Sequence, residues 1–165
     1  MIVVVMGVSG SGKTVVGQAL AKELGWPFFD ADNFHPKENV AKMAAGTPLT
    51  DADRWPWLDR LAAEMKALEE RGVSAVLACS ALRQAYRDRI SRAGNVRYVH
   101  LSGDHDTIAA RLAARKNHYM PPTLLASQLA TLEAPTDAIV IDVSDAVPVQ
   151  VAKIRAALKP NFGNA

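Results

Sequence analysis

Near the amino terminus stands Gly7-Val8-Ser9-Gly10-Ser11-Gly12-Lys13-Thr14, which fills every fixed position of the pattern G-x-x-x-x-G-K-[ST]. Residues 2–6 before it form a continuous apolar run of strand length, as in a central parallel strand covered on both faces. After it, apolar residues recur at helical spacing until Gly25, a natural helix C-cap. The sequence therefore predicts a strand, a glycine-rich loop and a helix, in that order.

This order suits the binding of a polyphosphate. Glycines let successive backbone N–H groups turn toward a ligand, and the helix N-terminus adds its positive end. Lys13 is expected to reach the β and γ phosphates, and the Thr14 hydroxyl is expected to bind Mg²⁺. The other predicted phosphate contacts are Gly7, Ser9, Gly10, Ser11 and Gly12. We therefore predict that the chain binds a nucleoside triphosphate.

Length and composition limit the remaining possibilities. The 165 residues, 49% of them hydrophobic, suffice for a sizeable core and predict one domain over residues 1–165. The 19 basic and 17 acidic residues are spread along the chain, so no basic stripe predicts nucleic-acid binding. No segment approaches the roughly 20 apolar residues of a membrane helix, and the first apolar run is too short for a signal peptide. The single cysteine, Cys79, suits a reducing cytoplasm.

Strand and helix patterns alternate along the rest of the chain, with short connections. The further predicted strands are 26–29, 73–79, 96–101 and 138–143. This alternation predicts a three-layer α/β/α fold with a five-stranded parallel sheet. Two inserts interrupt it, at about 34–54 and about 116–133, and each could fold over the glycine-rich loop.

Three helix starts are predicted from capping residues. Thr50 or Asp51 can cap a long helix, whose first turns Pro56 should kink or delay. Ser80 can cap the helix after the third strand, and Thr123 can cap a helix in the second insert.

Two carboxylates follow the second predicted strand. Asp30 and Asp32 are two residues apart, so strand periodicity places both on one face. They lie at the carboxyl end of the strand, where parallel α/β sheets bind their ligands. We therefore expect both carboxylates at the ligand site.

The remaining motifs narrow the class of phosphate-loop protein. A GTPase should carry D-x-x-G and N-K-x-D, and neither fits here. A motor ATPase should have an apolar strand that ends in an acidic residue, but the third predicted strand ends in Cys79-Ser80-Ala81. Small-molecule and nucleotide kinases fit better, because they are short and close two lids that exclude water from the transfer.

Several blocks beyond the loop form a specific combination. They are Asp30-Ala-Asp-Asn-Phe-His-Pro36, Gly46-Thr-Pro-Leu-Thr-Asp51, Cys79-Ser-Ala-Leu82, Arg115-Lys-Asn-His-Tyr119 and Ser127-Gln128. Together with the loop they resemble the bacterial gluconate kinases (gluconokinases), over nearly the whole chain. The resemblance implies ATP-dependent phosphorylation of D-gluconate to 6-phosphogluconate, a core like that of the nucleoside monophosphate and shikimate kinases, and a homodimer. Arg83 stands where many members have Lys, and Tyr119 where others have Phe.

The acidic and basic residues around the first insert suggest how an acceptor would be held. Asp32 is expected to orient the acceptor hydroxyl, with its deprotonation left open, and Asp30 to meet Mg²⁺ through water. Either could instead be a capping carboxylate. Arg54 is expected to hold the carboxylate of the sugar acid, unless it only forms a surface ion pair with Asp51 or Asp53.

Further contacts are expected from three other places in the chain. His35 could bind substrate hydroxyls or be a turn residue, while Ser80 and Arg83 are expected as second contacts to the acid. Arg111 and Arg115 are four residues apart on one helix and share a face. Arg115, at the end of that helix and just before the second insert, is expected to reach the phosphates, and Arg111 either joins it or lies on a solvated face.

Two alternatives remain open. One is another small-molecule kinase of the same core, such as a shikimate or nucleoside monophosphate kinase. The other is a regulatory module that binds ATP without a small acceptor. The paired carboxylates Asp30 and Asp32 and the two inserts argue against a pure sensor, which needs neither.

Overall fold

Helices and strands alternate along the chain in the structure, a computed structural model that describes residues 1–114 and 122–158. The strands are β1 (Ile2–Met6), β2 (Phe28–Asp30), β3 (Ala75–Ala78), β4 (Val96–Ser102) and β5 (Ile139–Asp142). The α-helices are α1 (Lys13–Leu24), α2 (Lys37–Ala44), α3 (Asp51–Glu70), α4 (Gln84–Ile90), α5 (His105–Ala113), α6 (Pro122–Thr131) and α7 (Val147–Leu158). Two short 3-10 helices, Ala31–Phe34 and Ser91–Ala93, follow β2 and α4.

The strands of the described residues form one parallel sheet in the order β2-β3-β1-β4-β5. The central strand β1 pairs with β3 on one side and with β4 on the other, and all of its residues are buried. A strand with neighbours on both edges and helices on both faces has no exposed side, which explains its continuous apolar run. The predicted three-layer α/β/α fold with a five-stranded parallel sheet is confirmed.

Alternating side chains of β1 contribute to two cores, one on each face of the sheet. Ile2, Val4 and Met6 belong to the core beneath α3 and α4, whereas Val3 and Val5 belong to the core beneath α1 and α7. The apolar stripe of α3 is buried throughout and consists of Leu58, Leu61, Ala62, Met65 and Leu68. Truncating one such leucine to alanine is expected to destabilise the fold by about 2–5 kcal/mol.

The start of α3 confirms Thr50, one of the two predicted caps, whereas the predicted delay by Pro56 does not occur. The helix begins at Asp51, and Thr50 and Asp53 form a reciprocal capping box. Thr50 Oγ1 accepts from the Asp53 N–H across 3.2 Å, and Asp53 Oδ2 accepts from the Thr50 N–H across 2.9 Å. The box satisfies first-turn donors before the proline is reached. Pro56 therefore removes one internal donor without moving the helix start.

Two other predicted helix starts are wrong. Ser80 does not cap a helix: α4 begins at Gln84, and the residues between lie in a loop where Ala81 has a φ of 46°. Arg87 fixes the backbone of this loop by donating to the Ala81 carbonyl across 2.7 Å. In the second insert, α6 already begins at Pro122, before Thr123, as expected of a proline at a first helical position.

Candidate functional site

The phosphate loop, residues 7–14, runs from the end of β1 into α1. Gly10 and Gly12 have left-handed backbone angles, with φ of 83° and 94°, which glycine adopts without steric cost. A Cβ added to Gly10 would lie 2.6 Å from Leu112 Cγ of α5, so a side chain there would meet that helix. No side chain caps α1 at Gly12, which leaves its first N–H groups to an anion. The loop therefore has the shape and dipole of a phosphate cradle.

A cleft of about 490 Å³ opens beside the loop and is called the phosphate cleft below. It is lined by Ser9, Gly10, Gly12, Lys13, Thr14, Asp30, Asp32, Ala78, Cys79, Ser80, Leu112 and Gln128. Lys13 folds back across the loop, with Nζ donating to the Val8 carbonyl across 3.1 Å. Thr14 is exposed in the first turn of α1. The structure thus brings most of the predicted phosphate contacts to one place.

Two of the predicted phosphate contacts are not among the residues that line this cleft. Gly7 is buried, and its N–H donates to the Ser80 carbonyl across 3.4 Å. Ser11 is fully buried, and its N–H donates to the Val8 carbonyl across 3.2 Å. Gly7 joins the loop to the segment after β3, and Ser11 closes a turn within the loop, so both backbone donors are used inside the protein.

Asp30 and Asp32 both line the phosphate cleft, but not for the predicted reason. β2 ends at Asp30, and a 3-10 helix follows it, so strand periodicity does not extend to Asp32. Asp30 Oδ1 caps that helix by accepting from the Asp32 N–H across 2.9 Å. The Asp32 side chain is 84% exposed. The surrounding protein and the Asp30 carboxylate raise the pKa of Asp32, against the opposing charges of His35 and Lys13.

His35 is a nearly buried side chain, 4% exposed, and not a simple turn residue. Its ring stacks on Trp57 with centroids 4.1 Å apart. Asn39 Nδ2 donates to the Asp53 carbonyl across 2.9 Å, which identifies it as the amide nitrogen, and it lies 3.2 Å from His35 Nδ1. Nδ1 is therefore an acceptor, and the proton of the neutral ring is on Nε2. Nε2 lies 4.0 Å from Asp32 Oδ1, and burial lowers the pKa of His35.

A second cavity, of about 850 Å³, adjoins the phosphate cleft and contains two guanidinium groups. It is called the basic pocket below, after Arg54 and Arg83. Asp51 accepts from Arg83 across 3.0 Å, from Arg54 across 3.5 Å and from the Tyr86 hydroxyl across 2.5 Å. These contacts lower the pKa of Asp51, and the hydrogen bond from Tyr86 has the largest effect. Glu133 Oε1 also lies 3.9 Å from Arg83 Nε, so two carboxylates face the two guanidinium groups. Each guanidinium carries five N–H donors, so the pair can also hold an acidic ligand.

The two cavities share part of their walls. Asp32, Cys79, Ser80 and Gln128 line both of them. Cys79 is buried, and burial raises the pKa of its thiol to about 12, which fits an apolar packing role. A ligand in the basic pocket can therefore approach a ligand on the phosphate loop at Asp32.

Comparison with known proteins shows the family of this chain. A family model described as shikimate kinase matches residues 9–153. A probable gluconokinase of Xenopus tropicalis is 47% identical, covering 93% of this chain and 91% of that protein. The thermoresistant gluconokinase of Escherichia coli K12 is 39% identical, covering 96% of this chain and 93% of that protein.

The chain belongs to the gluconokinase family. The resemblance inferred from the sequence blocks is thereby confirmed. A crystal structure of a gluconokinase from Sinorhizobium meliloti 1021 has the same fold, with a TM-score of 0.82 and 41% identity. That match covers 99% of this chain and 97% of the other, so the family assignment extends over both cavities.

Two residues that the sequence analysis missed, Asn39 and Lys42, anchor the first insert of this gluconokinase-family chain. Asn39 is buried between His35 and the Asp53 carbonyl. Lys42 of α2 donates to both oxygens of Asp53, across 2.8 Å and 2.9 Å. Lys42 and the Thr50 N–H lower the pKa of Asp53 to about 2. The insert is thus fixed to the first turn of α3 by charge and hydrogen bonds.

Arg87 is a third missed residue, and it fixes the loop between β3 and α4. Its buried guanidinium donates to three backbone carbonyls: that of Ala81 across 2.7 Å, that of Leu82 across 3.2 Å and that of Glu133 across 2.7 Å. Glu133 lies just after α6, and its N–H donates to the Leu82 carbonyl across 2.8 Å. A buried arginine can stay charged here because several carbonyls satisfy its donors. It ties the Ser80 and Arg83 loop to the second insert.

The two arginines predicted to serve the nucleotide have different outcomes. Arg111 donates to the Val143 carbonyl, just after β5, and is not among the residues that line the phosphate cleft. The alternative that Arg111 lies on a purely solvated face is therefore wrong. Its contact with the phosphates of the nucleotide stays a prediction. Arg115 lies outside the described residues, as do residues 116–121 of the second insert.

Proposed function

We propose that the protein transfers the γ-phosphoryl group of ATP to D-gluconate, giving ADP and 6-phospho-D-gluconate. The observation that carries this proposal is the position of Asp32, which borders both the phosphate cleft and the basic pocket. A carboxylate at that junction can meet an acceptor hydroxyl from the pocket and a phosphoryl group from the loop. Membership of the gluconokinase family supports gluconate as the acceptor.

The basic pocket is proposed to hold gluconate by its carboxylate. Arg54 and Arg83 supply the cationic donors, and a guanidinium can grip a carboxylate with two parallel hydrogen bonds. Asp51 keeps both guanidinium groups at the pocket wall. His35 and Ser80, which line the same pocket, are proposed to bind hydroxyl groups of the sugar acid.

The transfer itself needs orientation, a proton acceptor and charge neutralisation. Asp32 orients the 6-hydroxyl of gluconate and takes its proton as the oxygen attacks the γ-phosphorus. The new P–O bond forms while the bond from the γ-phosphorus to the bridging oxygen breaks, and that oxygen leaves on ADP. The raised pKa of Asp32 brings it closer to working pH, as suits a base. Lys13, and Arg115 from the predicted lid, are proposed to neutralise phosphate charge.

Mg²⁺ is proposed to bind at Thr14 and, through water, at Asp30. Both residues line the phosphate cleft and offer the hard oxygen donors that Mg²⁺ prefers. Among the described residues, no group of three or more His, Cys, Asp or Glu side chains could hold a metal. Phosphate oxygens and water would therefore complete the ligand set. When bound, the ion neutralises negative charge on the β and γ phosphates.

An acceptor panel tests the proposed function. The purified protein is incubated with ATP and Mg²⁺ and with gluconate, shikimate or AMP, and ADP release is followed in a coupled assay. We expect gluconate alone to stimulate ADP release, with 6-phosphogluconate as the product in mass spectrometry. Stimulation by shikimate or AMP instead would select the alternative kinases, and ATP binding without any stimulation would select the regulatory module.

We further propose that the protein acts as a single domain in the cytoplasm and forms a homodimer. The family resemblance supports the dimer, and one buried cysteine suits a reducing compartment. Within the described residues, no helix has the length and apolar character needed to cross a membrane. Size-exclusion chromatography with light scattering measures the oligomeric state, and a monomeric mass at micromolar concentration would contradict the dimer.

A further inference from the structure

Gln128 of α6 makes two hydrogen bonds to one residue of the phosphate loop. Its Oε1 accepts from the Ser9 N–H across 2.7 Å, and its Nε2 donates to Ser9 Oγ across 3.0 Å. A backbone N–H can only donate, so this contact fixes which end of the Gln128 amide is the oxygen. The side chain is thereby held in one orientation against the loop.

The helix that carries Gln128 is also a wall of the basic pocket. Ser127 and Thr131 line that pocket, and Gln128 lines both cavities. Just beyond α6, the Glu133 N–H donates to the Leu82 carbonyl in the loop between β3 and α4. One short segment therefore links the acidic-ligand side of the site to the phosphate loop, and Gln128 is its contact with the loop.

We propose that Gln128 is a positioning residue of the phosphoryl transfer, which aligns the phosphate loop with the basic pocket through Ser9. The inference rests on the proposed function, because alignment matters only if a phosphoryl group passes between the two cavities. In-line transfer is sensitive to geometry, and a displacement of about 1 Å can lower the rate about a hundredfold. Removing the Gln128 amide leaves Lys13 in the phosphate cleft and Arg54 in the basic pocket, but loosens one cavity relative to the other. It should therefore lower kcat more than it changes either KM.

Three variants measure this effect. Gln128→Met keeps the length of the side chain and removes both hydrogen bonds, and Gln128→Ala provides a second truncation. Gln18→Ala is the matched control, because Gln18 is an exposed glutamine on α1. For each variant, kcat, both KM values and Tm are measured. The share of ATP turnover that goes to water instead of gluconate is measured in the same reactions.

We expect Gln128→Met to lower kcat at least about tenfold, to change each KM by no more than about threefold, and to send a larger share of turnover to water. Tm should stay near that of the wild type, and Gln18→Ala should match the wild type throughout. A purely structural role would lower Tm and leave the partition between gluconate and water unchanged, and that result would overturn the proposal.

A double-mutant cycle adds an independent test that does not depend on one variant. Ser9→Ala removes the hydroxyl partner of Gln128 but keeps the backbone N–H. If the two residues act through their contact, the double variant loses less activity than the product of the single losses. Multiplicative losses would overturn the proposal.

If the wild type releases no ADP in response to gluconate, the proposed function fails and the inference falls with it. If the wild type is active and Gln128→Met is not impaired, the inference is overturned but the proposed function stands.

Discussion

The Tyr86 hydroxyl donates to Asp51 Oδ1 across 2.5 Å, and this contact joins α4 to the first turn of α3. The other oxygen of Asp51 accepts from Arg83 across 3.0 Å, so a single carboxylate fixes partners from two elements. Arg54 also lies over the Tyr86 ring, 5.6 Å from its centroid. The two guanidinium groups of the basic pocket are therefore preorganised before any ligand binds, which lowers the ordering cost of binding.

Tyr86→Phe tests this preorganisation. The ring stays, with its edge contact to Trp55 at a centroid distance of 5.7 Å, and only the hydroxyl is lost. A hydrogen bond to a charged group is worth about 1.5–3 kcal/mol, so we expect the KM for gluconate to rise about tenfold or more. The KM for ATP should not change, since Tyr86 is not among the residues that line the phosphate cleft. Equal effects on both KM values would show that the hydroxyl stabilises the fold and not the pocket.

Asp32→Asn tests the proposed base. The amide keeps the shape of the side chain but cannot accept the proton, so kcat should fall by about 10²–10⁴, while ATP binding, measured by calorimetry, is retained. The wild type should lose kcat as pH falls through the pKa of Asp32, which is raised above the ordinary 3.8, because the carboxylate is the active form. This acid limb should be absent from the residual rate of the variant. Near-normal kcat in Asp32→Asn would remove Asp32 from the mechanism.

Gly10→Ala tests the shape of the phosphate cradle. The new Cβ would lie 2.6 Å from Leu112 Cγ, so the Leu112 side chain, the loop or α5 must move. We expect weaker ATP binding, with KM raised about tenfold or more. Gly72→Ala is the control, because Gly72 also has a left-handed φ, 71°, but open space where its Cβ would stand. It should carry the backbone strain of about 1–2 kcal/mol and leave the KM for ATP unchanged.

A companion variant separates the collision from the strain. Leu112→Ala removes the atoms that the Cβ of Gly10→Ala would meet. Combined with Gly10→Ala, it should restore a large part of the ATP affinity. No recovery in the double variant would assign the loss to the backbone angle of Gly10 and contradict the steric explanation.

Local patterns predicted the parts of this site that depend on short-range chemistry. The bounds of β1 and the end of α1 at Gly25 match the prediction. Continuous burial and a left-handed C-cap each depend on only a few adjacent residues, so the sequence pattern indicates both. The position of Asp32 at the site also matches the prediction, but strand periodicity is not the reason. A 3-10 helix capped by Asp30 places it in the cleft instead.

The contacts that organise the pocket could not be predicted in the same way, because their partners are distant in sequence. Asp51 and Tyr86 are 35 residues apart, and Arg87 and Glu133 are 46 apart. Neither pair forms a recognisable motif, so Tyr86 and Arg87 received no role from the sequence. The same long-range contact explains the failed helix cap at Ser80, since Arg87 binds the carbonyls of the loop that would have become helix.

The ion pair between Lys42 and Asp53 predicts how stability depends on acid. Its hydrogen bonds lower the pKa of Asp53 from 3.8 to about 2 in the folded protein. A lowered pKa stabilises the fold above pH 3.8, and this contribution is lost as the pH falls toward about 2. Asp53→Asn should therefore lower Tm at pH 6, where the carboxylate is charged, and the difference from the wild type should shrink between about pH 4 and about pH 2. Glu64→Gln, at an exposed position of the same helix, is the control. A difference in Tm between Asp53→Asn and the wild type that stays constant over this range would contradict the assignment.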